Sequence, residues 1–262
     1  MKNWNWLVFG LMIIGFSSCI SQKQITYFQG PLADSTAIVQ EITNRYVPVI
    51  QINDLLGINV NSLNPEASSF FNPYAGIEQR MNLNSFQGQV PVTSAVGYLV
   101  DAEGNVQLPL VGKIKIAGLT STGARDLIQE KLKKYLKEPT VAVRFLNFKV
   151  SVLGEVARPS MFSVPNEQMT LTEALSLAGD ITIYGRRDNV MIIRETNGKR
   201  EFGRVNMNQR DLFKSPFYYL HPNDVIYVEP GKARLAYADR FYTILPSVIG
   251  ALSFIAVILR NY

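Results

Sequence analysis

The stretch Leu220-His221-Pro222-Asn223-Asp224-Val225-Ile226-Tyr227-Val228 reads as a turn feeding a strand, and Asn53-Asp54-Leu55-Leu56-Gly57-Ile58 repeats that logic earlier in the chain. Asparagine accepts the positive φ of a tight turn better than most residues, so Asn53 is expected to supply one. The later stretch is expected to close a sheet. The echo divides the chain into two α+β units, 46–147 and 148–230.

Around the earlier copy, alternation over Tyr46 to Val60 predicts strands, with Val47, Val49 and Ile52 before the turn and Leu55, Ile58 and Val60 after it. An irregular insert comes next, Ser62 to Ala95, rich in Asn, Ser, Gln and Pro and carrying Phe70, Phe71, Tyr74 and Phe86. Two readings are open for it, a mobile loop or a segment packing on a neighbouring subunit through its aromatics. Tyr98 to Ala117 reads as a hairpin turning at Asp101-Ala102-Glu103-Gly104, with Pro109 marking an edge or a bulge. Thr120 is placed to cap a helix from Ser121 to Lys137, which Glu138-Pro139 ends; Val141, Val143 and Phe145 begin the next strand.

Upstream of the later copy, Lys149 to Val156 is a strand and Met161 to Val164 a shorter one. Thr170-Leu171-Thr172-Glu173 is a capping box, and Gly179 can stop the helix it opens. Val190–Arg194 and Glu201–Val205 form a hairpin, since Asn197-Gly198 suits a two-residue primed turn.

Both ends of the chain point to a membrane. Phe241 to Leu259, FYTILPSVIGALSFIAVIL, carries no charge, and as a helix it rises ~28 Å, near the ~30 Å hydrocarbon core of a bilayer. At 100° per residue Thr243, Ser247, Gly250 and Ser253 gather, with Pro246, on one side, and Phe241, Leu245, Val248, Leu252, Ile255 and Leu259 opposite. The small side fits either lining a pore or close packing between helices. At the other end Lys2, an apolar run from Leu7 to Phe16, and Ser17-Ser18-Cys19 describe a secretory signal over 1–18. Cys19 is the single cysteine, so no disulfide forms within the chain.

The formal net charge is +5, and seven Lys or Arg fall between Arg125 and Lys149, among Asp126, Glu130 and Glu138. No basic and aromatic interleaving accompanies them, so nucleic acid is not an expected partner. Lys131, Lys133, Lys134 and Lys137 read as a solvated helix face, or as a contact for a partner or an acidic glycan. An enzyme is not expected: His221 is the single histidine, Gly118 to Gly123 resembles a phosphate loop but has Ala124 where lysine is needed, and Glu167 and Glu173 read as exposed charge and helix cap. No metal and no cofactor are expected.

Several ordered pieces resemble the polysaccharide biosynthesis and export family of Wza-like outer-membrane lipoproteins. They are Tyr98-Leu99-Val100-Asp101 with Gly104 and Leu108-Pro109, Gly112-Lys113-Ile114, Gly118-Leu119-Thr120, Pro139-Thr140-Val141, Gly154-Glu155-Val156 with Pro159, Thr170 to Ala174 with Ala178-Gly179, and Leu220 with Pro222 and Asp224-Val225-Ile226. The second unit is similar to the SLBB (soluble-ligand-binding β-grasp) fold, and Cys19 after Ser17-Ser18 resembles a lipobox, although Phe16 replaces the usual leucine. The resemblance implies an α+β chain: signal peptide 1–18, lipidated tether 19–45, polysaccharide-export domain 46–147, one SLBB β-grasp-like domain 148–230, and a C-terminal transmembrane helix within 231–262. It implies a covalent lipid, palmitate among the acyl chains, on Cys19, and an outer-membrane protein with its body in the periplasm. It further implies a homo-oligomeric ring, an octamer in relatives, passing capsular polysaccharide or exopolysaccharide, with an inner-membrane chain-length regulator or its tyrosine kinase as partner. The alternative is a periplasmic glycan-binding lipoprotein that uses the SLBB domain without forming a channel. The chain departs from the family in having Asn53 and Asn223 for glycines, Gly123 for an acidic residue, and one SLBB-like domain where longer relatives carry two.

Overall fold

The computed structural model describes residues 25–30, 39, 41, 46–74, 96–196, 198–234 and 240–261. In the first unit, β1 (Leu55–Asn61) lies between β2 (Tyr98–Leu99) and β5 (Thr140–Phe145), antiparallel to both. Leu56, Ile58 and Val60 on β1 turn inward with Val141, Val143 and Phe145, so the period of two seen in the sequence decides which face is core. The hairpin β3 (Asn105–Leu108) and β4 (Gly112–Lys115) adds Val106, Leu108 and Ile114. Helix α2 (Ser121–Leu132) packs on β5 through Ala124, Ile128 and Leu132. Thr120 caps it, its Oγ1 accepting from Gly123 N–H at 3.1 Å.

The second unit is one mixed sheet in the order β7 (Ser160–Ser163), β6 (Lys149–Gly154), β10 (Val225–Pro230), β8 (Gly185–Thr196), β9 (Lys199–Val205). The helix α3 (Leu171–Leu177) has the full capping box, with Glu173 N–H donating to Thr170 Oγ1 and Thr170 N–H donating to Glu173 Oε2. Gly179 comes next at φ 76°, and Asp180 repeats the left-handed turn at φ 75°. Thr196 pairs with Lys199, leaving the expected two-residue turn with Gly198 at φ 73°. Asn53 and Asn223 sit at φ 69° and 67°, the conformation the turn argument asks of them.

Four local readings are corrected. Before β1 the alternation is displaced by one: Pro48 and Ile50 are buried, while Val47, Val49 and Ile52 are exposed, because Ile50 is held on both sides by backbone bonds to Leu119 O and from Gly118 N–H, each 2.8 Å. A slip of one residue sends every side chain to the other face. Helix α2 stops at Leu132, not Lys137; turns succeed it, and Glu138 takes φ 51° ahead of Pro139. Tyr98–Leu99 pairs with β1 rather than leading into a hairpin, and the hairpin is β3 and β4, with Pro109 in its turn where no ladder donor is missed. Finally, β10 does not close the sheet. It is the central strand, parallel to β6 and antiparallel to β8, and Ile226 and Val228 are fully buried there.

The insert contains a short helix, α1 (Pro65–Ser69), capped by Asn64, whose Oδ1 accepts from Glu66 and Ala67 N–H. Phe71 enters this chain's own core and Phe70 stays exposed. Phe86 and the rest of 75–95 lie outside the described residues.

Candidate functional site

The last described element is α4 (Arg240–Asn261), 22 residues with Pro246 inside it. Proline there withdraws one intrahelical donor. Its described side chains, Ile244 and those of 246–258, are all exposed. Ser247, Gly250 and Ser253 therefore stand on the helix surface, and a Cβ added at Gly250 would meet nothing within 4 Å. Thr243 lies in the helix, but its side chain is outside what is described. Among the described residues no helix is long and apolar enough to cross a membrane; the block of described side chains in α4, 246–258, rises only ~20 Å. The membrane span is thus not established by the fold.

Cys19 and the signal stretch lie outside the described residues. The chain is next seen at residues 25–30, which lie along the second unit. There Phe28 N–H donates to Met207 O at 3.2 Å and Gln29 N–H to Asn208 O, and Gln29 forms a parallel bridge with Gln209. Phe28 packs between Tyr27 and Phe213, and Arg210 Nε donates to Phe28 O at 3.1 Å. The Tyr27 hydroxyl donates to Asp180, and the guanidinium of Arg187, 6% exposed, sits over the Tyr27 ring at 5.2 Å. Burial first, then that bond to Asp180, pushes the Tyr27 hydroxyl up to about 12. Arg187 also donates to Ile181 O at 2.6 Å and Thr182 O at 3.1 Å, leaving its Nε without a partner. On sequence this stretch reads as polar and weakly patterned, a tether with a short helix or strand, and carries no signal for the docking.

The two units meet through side chains as well as core. Ser121 Oγ donates to Glu167 Oε2 at 2.8 Å, and Gln168 Nε2 donates to Tyr46 O at 3.0 Å. Asn147 holds both sides of the first turn, accepting from Leu55 N–H and donating to Asn53 O. Arg194 and Asp224 form a buried pair at 2.7 Å, with Arg194 also donating to Pro216 O and Tyr219 O and lying over the Phe217 ring. Burial raises the Asp224 carboxyl, against the opposing pull of Arg194 and of the His221 N–H it accepts. These groups brace the turn before β10. Among the described residues no cluster of three or more His, Cys, Asp or Glu is placed to hold a metal.

Comparison with known proteins gives two family matches: residues 42–146 match the family described as polysaccharide biosynthesis/export protein, and 149–204 match the SLBB domain. The EPS I polysaccharide export outer membrane protein EpsA of Ralstonia nicotianae is 38% identical over 117 residues, 43% of this chain and 30% of that protein. The protein of the same name from Ralstonia solanacearum is 34% identical over 137 residues, 51% of this chain and 36% of its own length. The matched stretch thus spans about a third of each relative.

Proposed function

We infer that this chain, which belongs to the polysaccharide biosynthesis/export family, moves capsular polysaccharide or exopolysaccharide from the periplasm to the cell surface as an oligomeric outer-membrane channel. The observation that carries the reading is the bare apolar surface of α4. Eight large apolar side chains between Ile244 and Ile258 are 46–67% exposed on this one helix, whereas the two folded units each bury an apolar core and leave single apolar side chains such as Phe70 and Leu110 exposed. At ~1.5 to 3 kcal/mol for fully burying each, covering that surface is worth on the order of 10 kcal/mol. Lipid and neighbouring copies of the same helix supply such cover. In this reading α4 spans the outer membrane, with Thr243, Ser247, Gly250 and Ser253 toward a ring axis. What supports this reading is the uncharged run Phe241 to Leu259, which as a helix rises ~28 Å.

A lipid on Cys19 is the second anchor. Five residues separate it from Ile25, a reach of at most ~20 Å, so the docked segment keeps the second unit close to the periplasmic face of the membrane. The ring, octameric in relatives by resemblance, takes polymer from an inner-membrane chain-length regulator or its tyrosine kinase. Passage needs no covalent step, and weak repeated contacts suit a long hydrophilic chain better than one tight site. Deleting Phe241 to Tyr262 is the test: a folded protein with surface polysaccharide lost is expected, and normal surface polysaccharide contradicts the reading.

A further inference from the structure

The outward face of the first sheet holds a cleft of about 400 Å³. Its floor is the exposed row of β1 and β5, in which Gly57 lies opposite Arg144 and Asn59 opposite Ala142, with Asn61 one step further along. Arg144 and Asn59 thus face small residues across the strands, while Asn61 faces Thr140, whose hydroxyl donates to Asn61 O at 3.4 Å. Leu146 forms one wall, its Cδ2 3.2 Å from where a Cβ on Gly57 would stand. Tyr74 forms another, set edge-on against Tyr98 at 5.3 Å.

Asn72 in the lining is bonded to Val60 N–H, Val60 O and Ser68 O, whereas three other polar side chains of this cleft are idle. Of the arginines whose side chains are described, Arg144 alone has no hydrogen bond or ion pair, and the amides of Asn59 and Asn61 have none either. Elsewhere the chain satisfies its guanidinium groups: Arg125 meets Asp126, Arg186 meets Asp188 and Glu229, and Arg204 meets Glu229. A planar guanidinium suits a carboxylate through paired bonds, and an amide both donates to and accepts from hydroxyls. The apolar walls offer contact to the C–H faces of a sugar ring, the combination of apolar lining and few polar groups usual in a small-ligand pocket.

We propose that this cleft is a contact site for carboxylate-bearing polysaccharide, with Arg144 taking a uronic-acid carboxylate and Asn59 and Asn61 taking ring hydroxyls. The assignment rests on the export reading, whose polymer it specifies as acidic. The net charge of +5 points the same way. Binding is weak, because the groups are exposed and screened by salt.

Affinity electrophoresis of the detergent-extracted full chain through polygalacturonate, and through dextran as a neutral polymer, tests it. Polygalacturonate is expected to retard the protein more than dextran does, and Arg144→Gln to lower that retention about two- to fivefold. Arg125→Gln, the same loss of charge at a residue already paired, is expected to leave retention within experimental error. Asn59→Ala with Asn61→Ala is expected to lower retention on both polymers. Equal effects of Arg144→Gln and Arg125→Gln, or none from Arg144→Gln, overturn the site. A deletion strain separates the two readings: normal surface polysaccharide without the protein removes the export reading, whereas full rescue by an Arg144→Gln protein of unchanged retention removes only the cleft.

Discussion

The rings of Tyr46 and His221 stack with centroids 3.6 Å apart and planes 18° from parallel. Tyr46 opens the first unit and His221 lies in the turn that delivers β10, the central strand of the second, so this contact joins the two. Its surroundings are charged: Arg194 lies near both rings, and Asp224 and Asp54 bear on Tyr46. Burial first, then Arg194, lowers the His221 imidazole to about 4.

That depression sets a pH dependence. Between about 4 and the ordinary value near 6.5 the unfolded chain binds a proton that folded His221 refuses, so stability is full above that window and falls as pH drops through it. Allowing for partial exposure of the ring, the loss is on the order of 1 to 2 kcal/mol. Urea midpoints of the wild type and of His221→Gln, compared near neutrality and near the lower limit, check it. The variant is expected to lose less on acidification, and equal losses contradict the assignment.

Asp224→Ala is expected to be among the most damaging single changes in the second unit. It leaves Arg194 buried without its carboxylate, which costs ~3 to 5 kcal/mol in comparable buried pairs. Changing Arg194 and Asp224 together to Met and Leu is expected to recover a large part of that loss in chemical denaturation.

Gly154→Ala tests a backbone constraint. Gly154 has φ 91°, and an added Cβ would stand 2.1 Å from Val228 O, across the parallel β6–β10 pairing. Strain and a displaced strand together cost on the order of 3 kcal/mol. Gly198→Ala, with nothing within 4 Å but a similar φ of 73°, is expected to cost roughly a third as much.

Tyr27→Ala removes the bond to Asp180 and the ring beneath Arg187. Residues 25–30 are expected to open more often, raising proteolytic cleavage there about tenfold while the melting of the body changes little. Cleavage at the wild-type rate would show that the backbone bonds to Met207 and Asn208 suffice.

Much of the site obeys the same division as the fold. Asn59 and Asn61 are readable as outward positions because β1 alternates with a period of two, yet their lack of partners and the small residue facing Asn59 emerge when β5 is set beside β1 in register. The docking of the N-terminal segment was less visible, since Arg210 and Phe28 are separated by 182 positions. Cys19 and the side chain of Thr243 fall outside the described residues, so lipidation and the full small face of α4 stand as proposals.

Turn and cap chemistry is local: Asn53, Asn223, Gly198 and the Thr170–Glu173 box act within a few residues, and their conformations are legible in the chain alone. Strand order is not. That β10 enters between β6 and β8, and that Ile50 rather than Val49 turns inward, depends on partners brought from distant sequence, where burial of whole faces outweighs any local preference.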